Sequence, residues 1–237
     1  MQDEVLKHTE KIYNTMKNRE QTLWEKVREV AVEIFIIVFA VTLSIWLHNW
    51  SDHRAEQKAT DEFLAGLKVD LSKDIAALKE NRNAFVEEYA DLSYLDSIRQ
   101  NKAIDTVREQ DIGNHFVFRT RLTHFNSARY EGFKSSGKLG TIENDSLKQA
   151  ILSYYQQAIP SQNDMEEMMN STQTKLMEAQ FDKDEKMTMR AFAKTFKVHA
   201  YVSVCLDNLA PTIQLYSDAM SEAKAIIKRI DLYLKDR

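Results

Sequence analysis

The stretch "VAVEIFIIVFAVTLSIWLHNW", residues 30–50, decides the architecture of this chain. Wound as an α-helix at about 1.5 Å per residue, it would extend about 31 Å, which matches the roughly 30 Å hydrocarbon core of a bilayer. Trp24 precedes it, and Trp46, Asn49 and Trp50 close it, in the positions of interfacial anchors. We therefore expect a transmembrane helix over 30–50.

Two other interpretations of this stretch were weighed. A cleaved signal peptide is disfavoured because 29 mostly polar residues come first and bulky residues stand where a small-residue cleavage site would be. A buried helix of a soluble protein stays open because the strictly uncharged run, Ile34 to Leu47, is only 14 residues long.

The basic residues near the two ends of the segment predict its orientation. Five precede it and three follow within a similar distance: Lys11, Lys17, Arg19, Lys26 and Arg28, then Arg54, Lys58 and Lys68. Basic residues accumulate on the cytoplasmic side of membrane helices. We expect a bacterial inner-membrane protein with its N-terminus in the cytoplasm and residues 51–237 outside it, in the periplasm if the cell is Gram-negative.

Glu33 lies about one turn inside the apolar segment. At about 100° per residue it shares one helix stripe with Ile37, Ala40 and Ser44, two of which are small. Three interpretations stay open: a carboxylate that reaches the headgroups, a polar contact across an oligomer, and a titrating group in an ion or proton path. We expect these four residues to form a helix-packing face.

Few residues in the chain stop helices. It contains 5 Gly and 2 Pro in 237 residues, and apolar residues recur at helical spacing on both sides of the membrane segment. The predicted fold is all-α: a single transmembrane helix that continues into a long helix, ending near Asn101, and an extracytoplasmic helical bundle with coiled-coil character. The predicted domains are a cytoplasmic amphipathic helix (1–29), the transmembrane helix (30–50) and a periplasmic bundle (51–237).

The stretch 126–159 carries the densest turn signals. Gly137 is placed as the residue after a helix C-terminus, and Asn144 or Asp145 can cap the next helix. A structural corner is the simpler interpretation; a recognition loop is the alternative, with the candidates Tyr130, Ser135, Ser136, Gly137 and Asn144.

Further along, we expect a turn at 111–114 and helix ends at Pro160 and near Pro211. Between the prolines a helix is expected to bury an apolar face, which consists of Met165, Met168, Met169, Leu176, Met177 and Phe181.

The sequence offers little for catalysis or ligand chemistry. A net charge of −4 gives no basic field for nucleic acid, and Cys205, the single cysteine, excludes an intrachain disulfide. The six histidines lack metal-ligand spacing, and no catalytic motif is found. Acid pairs such as Glu87–Glu88 and Glu166–Glu167 are interpreted as solvated faces. We expect no enzyme, no cofactor and no metal.

Three quoted stretches carry a resemblance: "EIFIIVFAVTLSIWLHNW", "EFLAGLKVDLSKDI" and "NSARYEGFKSSGKLGTIENDSLKQAILSYYQ". Over roughly residues 30–160 the chain resembles a family of uncharacterised single-span membrane proteins common in Bacteroidetes. The family pattern falls on Glu33, Asn49, Trp50, Tyr130, Ser135, Ser136, Gly137, Asn144, Tyr154 and Tyr155, with His48 where the pattern has a second Asn. The resemblance implies an anchored helical domain and no catalysis.

Together these observations predict a non-enzymatic scaffold or accessory subunit of an envelope complex. Its partners would be the lipid bilayer and either copies of itself or another membrane protein. Two alternatives are a ligand-sensing membrane protein, and a single-span subunit of an ion-driven motor or transport complex in which Glu33 titrates.

Overall fold

The computed structural model describes residues 23–100 and 108–236. Within these ranges the protein is helical and contains no strand, so the predicted all-α class is confirmed. The expected N-terminal amphipathic helix falls mostly on residues 1–22, which lie outside the described ranges.

Seven α-helices are described, joined by one 3₁₀ turn and one π-helical stretch. Their order is α1 Leu23–Arg99, α2 Glu109–Asn114, α3 Ala128–Ser135, a 3₁₀ turn Lys138–Thr141, α4 Asp145–Ser153, a π-helix Tyr154–Ala158, α5 Ile159–Phe181, α6 Met189–Ala193 and α7 Phe196–Lys235.

Internal contacts divide the chain into two units, Met1–Lys58 and Ala59–Arg237. In the first unit the described residues all belong to α1, and every side chain from Ala31 to Trp50 is exposed. The second unit holds the hydrophobic core.

The expected long helix is confirmed, since α1 ends at Arg99, close to the predicted Asn101. Its part in the second unit presents a column of buried apolar residues spaced by seven: Leu64, Leu71, Leu78, Phe85 and Leu92. Successive positions seven apart stay on one helix face. This column is one side of the bundle core.

Side-chain pairs give the directions of the long helices in the second unit. Gln173 on α5 contacts Glu88 on α1. Seven residues earlier on both helices, Glu166 and Asn81 contact the same side chain, Thr123. Therefore α5 runs parallel to α1. In contrast, α7 runs antiparallel to α1, because Arg82 contacts Ser217 at 2.8 Å and Arg99 contacts His199 at 2.7 Å.

Because α1 and α5 are parallel, the chain between them must return along the bundle. Residues 116–127 do so without helix or strand hydrogen bonds; we call this segment the strap. The Arg121 side chain of the strap donates to the Ala84 carbonyl of α1, and the Asn126 N–H donates to the Asp74 side chain. Ten helical residues cover about 15 Å, and so do five extended residues. The strap is therefore extended and antiparallel to α1.

The corner after the strap follows the sequence prediction. Gly137 has φ 72°, the left-handed conformation that glycine adopts most easily after a helix end. Asn144 caps α4, its side chain accepting the Leu147 N–H at 2.9 Å. At residues 111–114 the structure has part of the short helix α2 instead of the expected turn.

The expected helix end at Pro160 is wrong. Helical structure runs without a break from α4 through the π-helix into α5, with Pro160 in the first turn of α5. The Ile159 N–H donates to the Tyr154 carbonyl five residues earlier, so the π-helix shifts the hydrogen-bond ladder just before proline. Pro160, which has no N–H to donate, therefore directly follows a part of the ladder that is already shifted.

The expected end near Pro211 is also wrong. Pro211 lies inside α7, a helix of 40 residues. Proline in a helix interior costs about 3 kcal/mol. Leu209 and Thr212 beside it are both completely buried, and their packing holds the helix together across the proline.

The apolar face expected between the two prolines is only partly buried. Met169 and Leu176 are in the core, whereas Met168 is 36% and Phe181 79% exposed. Much of the buried face of α5 is polar instead: Gln162, Glu166, Thr172 and Gln173.

Candidate functional site

The exposed apolar part of α1 is the largest unusual surface of the first unit. Thirteen large apolar side chains between Val32 and Trp50 are exposed, with Phe35 at 68%. At about 1.5 kcal/mol for each such side chain left in water, the cost is on the order of 20 kcal/mol. That exceeds the stability of a typical domain, roughly 5–15 kcal/mol. Exposed apolar surface of this extent is typical of a helix that crosses a membrane or packs against a partner.

Among the described residues, one helix is long and apolar enough to cross a membrane, and none of its apolar window is buried. A core helix of a soluble protein would instead be buried. Glu33, Ile37, Ala40 and Ser44 are all exposed along it.

The predicted interfacial anchors lie at the C-terminal end of the apolar run. Trp46 is 60% and Trp50 51% exposed, and the Arg54 guanidinium lies 5.3 Å from the ring centre of Trp50. Asn49 is exposed as well. Trp24 lies within α1, and its side chain is outside the described part of the chain.

The candidate recognition residues of the corner are not brought together. Ser135, Ser136 and Gly137 are exposed, whereas Tyr130 is completely buried and stacks on Tyr155 with ring centres 4.2 Å apart. The Tyr130 hydroxyl accepts a hydrogen bond from Gln156 at 2.9 Å.

Asn144 lines a separate surface cavity. This cavity, about 510 Å³ in volume, lies between the start of α4 and the end of α7, where Arg229 and Asp236 also line it. All three of these residues are exposed, so the cavity is open to solvent.

A second buried column on α1 is mainly polar. Thr60, Asp74, Asn81 and Glu88 occupy positions spaced by seven or fourteen residues, and together we call them the polar column. Thr60, Asp74 and Glu88 are buried and Asn81 is half-buried. The expectation that the Glu87–Glu88 and Glu166–Glu167 pairs are solvated is therefore wrong for Glu88 and Glu166, which are 7% and 1% exposed.

Buried acids and half-buried amides exchange hydrogen bonds with the strap: the acids accept, and the amides both accept and donate. The Asn126 N–H lies 2.9 Å from Asp74 Oδ1, and the Thr123 N–H donates to Glu166 Oε2 at 2.7 Å. The Asn170 side chain binds both backbone groups of Arg121: its Oδ1 accepts the Arg121 N–H at 2.9 Å, and its Nδ2 donates to the Arg121 carbonyl at 2.7 Å. On α1, Asn81 Nδ2 donates to Thr123 Oγ1 at 2.8 Å. An extended segment has no ladder of its own, so side chains satisfy part of its backbone.

Glu166 is the centre of this network. Its carboxylate accepts the Thr123 N–H, the Thr123 hydroxyl and the Tyr216 hydroxyl. Burial and the bond to Glu166 raise the pKa of Tyr216 well above its ordinary value, so that its hydroxyl stays a donor.

Glu88 occupies the far end of the polar column. Gln173 donates to its carboxylate, and Arg121 of the strap lies 3.6 Å away. Burial is the main cause that raises the pKa of Glu88, against the lowering effect of these two neighbours. Sequence reasoning missed these acids, although their spacing from the apolar column was a usable signal.

No family model, no curated protein and no solved structure matches this chain. The resemblance to the Bacteroidetes family stays a prediction.

The described residues form neither a metal site nor an accessible reactive thiol. Across residues 23–100 and 108–236, no group of three or more His, Cys, Asp or Glu side chains could hold a metal ion. Cys205 is completely buried, and burial raises the pKa of its thiol to about 12.

Proposed function

We propose that this protein is a non-enzymatic, membrane-anchored helical scaffold or accessory subunit of a bacterial inner-membrane or envelope complex. The observation that carries the proposal is the fully exposed apolar run from Ala31 to Trp50 in α1. A bilayer supplies the apolar surroundings that this run needs.

In this proposal the N-terminus is cytoplasmic and residues 51–237 are periplasmic. The support is the surplus of basic residues before the span. Protease added to intact spheroplasts should then remove the C-terminal domain and leave an N-terminal tag intact. Protection of the C-terminal domain, with loss of the N-terminal tag, would reverse the orientation.

The proposed assembly face is the stripe of Glu33, Ile37, Ala40 and Ser44. Small residues let helices approach closely within lipid, and a carboxyl group there can hydrogen-bond across the contact. What supports this role is that all four side chains are exposed on one side of a helix.

The test is the mass of the full-length protein in native membrane discs, with every co-purifying chain identified. A different polypeptide in fixed ratio supports an accessory subunit, and a homo-oligomer supports a self-assembling scaffold. A monomer without partners removes the assembly role.

A matched pair of double variants locates the contact. Ala40→Leu with Ser44→Leu places bulk on the stripe and should weaken crosslinking between chains. Ala31→Leu with Thr42→Leu places similar bulk about 160–180° away on the helix and should leave crosslinking unchanged. Equal crosslinking for both pairs would exclude the stripe as the contact.

A further inference from the structure

Besides packing Phe116, Phe118 and Phe125 in or against the core, the strap is held to α1 and α5 by individual polar side chains. Its N–H groups at Arg121, Thr123 and Asn126 donate to Asn170, Glu166 and Asp74, respectively. Its own residues form no helix or strand ladder. Because each attachment is a single side chain, the chemical state of that side chain affects whether the strap stays in place.

Asp74 is the attachment at the end of the strap nearest α3. It is completely buried, and its Oδ1 atom receives both the Asn126 N–H at 2.9 Å and the Asn126 side-chain amide at 2.7 Å. Its Oδ2 atom is buried without a hydrogen-bond partner. An ionised Asp74 would thus keep a charged oxygen in the interior without a donor, whereas a protonated one would not.

Among the described residues around Asp74, no cation is paired with its carboxyl group. Asp70 on α1 adds negative charge, and the nearby Arg129 of α3 is paired with Asp70 at 2.7 Å. The π-helix contributes the buried hydroxyls of Tyr154 and Tyr155. The negative charge of Glu222 on α7 helps to raise the pKa of Tyr154.

Burial is the largest influence on Asp74 and raises its pKa above the ordinary 3.8. The two Asn126 donors lower the pKa, but burial outweighs them. When the strap leaves, water reaches the carboxyl group and its pKa returns towards the ordinary value. Asp74 therefore binds its proton more tightly when the strap is closed than when it is open.

We propose that the strap is a pH-sensitive element that is held against α1 and α5 when Asp74 is protonated and loosens when Asp74 is ionised. The sign follows from linkage: lowering the pH favours the state that binds the proton more tightly. The stabilisation of the closed strap is complete below the ordinary pKa of Asp74. It is lost as the pH rises through the raised pKa of the closed form.

Hydrogen exchange of the full-length protein in one detergent tests this, with exchange corrected for the intrinsic effect of pH. Between pH 4 and pH 8, protection of peptides within 118–127 should fall severalfold, because ionisation of Asp74 removes the advantage of the closed strap. Peptides from α4 should keep their protection. Constant protection of the strap would overturn the proposal, and so would a parallel fall in α4, which would place the effect in the whole fold.

Two variants make the assignment to Asp74. Asp74→Asn keeps an oxygen acceptor for Asn126 and carries no titrating proton, so its strap protection should not change with pH. Asp207→Asn, at an exposed aspartate of α7, should behave like the unchanged protein. A strap that still loosens with pH in Asp74→Asn would assign the effect to another group and overturn the role of Asp74.

Discussion

Replacing Glu166 with leucine removes the acceptor at the centre of the strap network. The Thr123 N–H, the Thr123 hydroxyl and the Tyr216 hydroxyl all donate to this carboxylate. Leucine is apolar and fits a helix, so the main change is the loss of these hydrogen bonds. The variant measures how much a buried acid contributes to holding an extended segment.

The expected loss follows from the donors left behind. The Thr123 N–H is fixed by the backbone and cannot turn to another acceptor. The Thr123 and Tyr216 hydroxyls lie 3.3 Å apart, so one can donate to the other, and two donors in all are left unsatisfied. At about 2 kcal/mol for each unsatisfied buried group, the unfolding free energy should fall by about 4 kcal/mol. In a chain of this size, about 2–4 °C is lost per kcal/mol, so the melting temperature should fall by about 8–16 °C.

Thermal unfolding of the full-length protein, followed by circular dichroism in a fixed detergent, measures this shift. Glu167→Leu is the matched control because Glu167 is adjacent and exposed, and it should change stability by less than about 0.5 kcal/mol. Equal melting temperatures for the two variants would refute the reasoning that the buried acid supports the strap.

Three further substitutions or reactions probe local features. Gly137→Ala should lower the unfolding free energy by about 1 kcal/mol in urea titrations, because φ is 72° there; no change would contradict the left-handed conformation. Gly66→Ala places a Cβ 2.3 Å from Arg129 Cζ, so the half-exposed guanidinium should move away from Asp70. Since the gain in helix propensity is about 1 kcal/mol, the urea midpoint should hardly fall; a large fall would show that Arg129 cannot move. The Cys205 thiol, buried and with its pKa at about 12, should resist iodoacetamide at pH 8 until urea unfolds the protein; rapid native labelling would contradict its burial.

Features set by local chemistry could be predicted from sequence. Apolar periodicity and the scarcity of Gly and Pro predict the C-terminal end of α1 to within a few residues of Arg99. The capping role of Asn144 and the left-handed Gly137 follow from the residue types themselves. Each of these features depends on a few neighbouring residues, so distant packing does not change it.

The two prolines were misread because local propensity was given too much weight. Pro160 and Pro211 both stop helices in isolation. In the folded chain, a π-helix precedes the first, and buried residues on both sides of the second hold α7 together. Tertiary packing outweighed a local cost of about 3 kcal/mol.

The buried acids were missed because acids were interpreted as surface residues. Tyr89 is more apolar than its neighbour Glu88, yet it is 45% exposed, whereas Glu88 is buried. Asp74, Asn81 and Glu88 keep an exact spacing of seven beside the apolar column. A strict heptad register would have placed them in the core; their partners on the strap could not be foreseen, since those contacts join residues more than 30 positions apart.

The strap and the polar column are two parts of one structural solution. Parallel α1 and α5 require a return connection, and the extended strap gives about twice the length per residue that a helix gives. The cost is a backbone without its own hydrogen-bond ladder, and Asp74, Glu166 and Asn170 supply part of the missing acceptors. A helix in the place of the strap would satisfy its own backbone, so Asp74 and Glu166 would lose the backbone donors that the strap supplies. Apolar residues at 74 and 166 are therefore expected only in a chain whose return connection is helical.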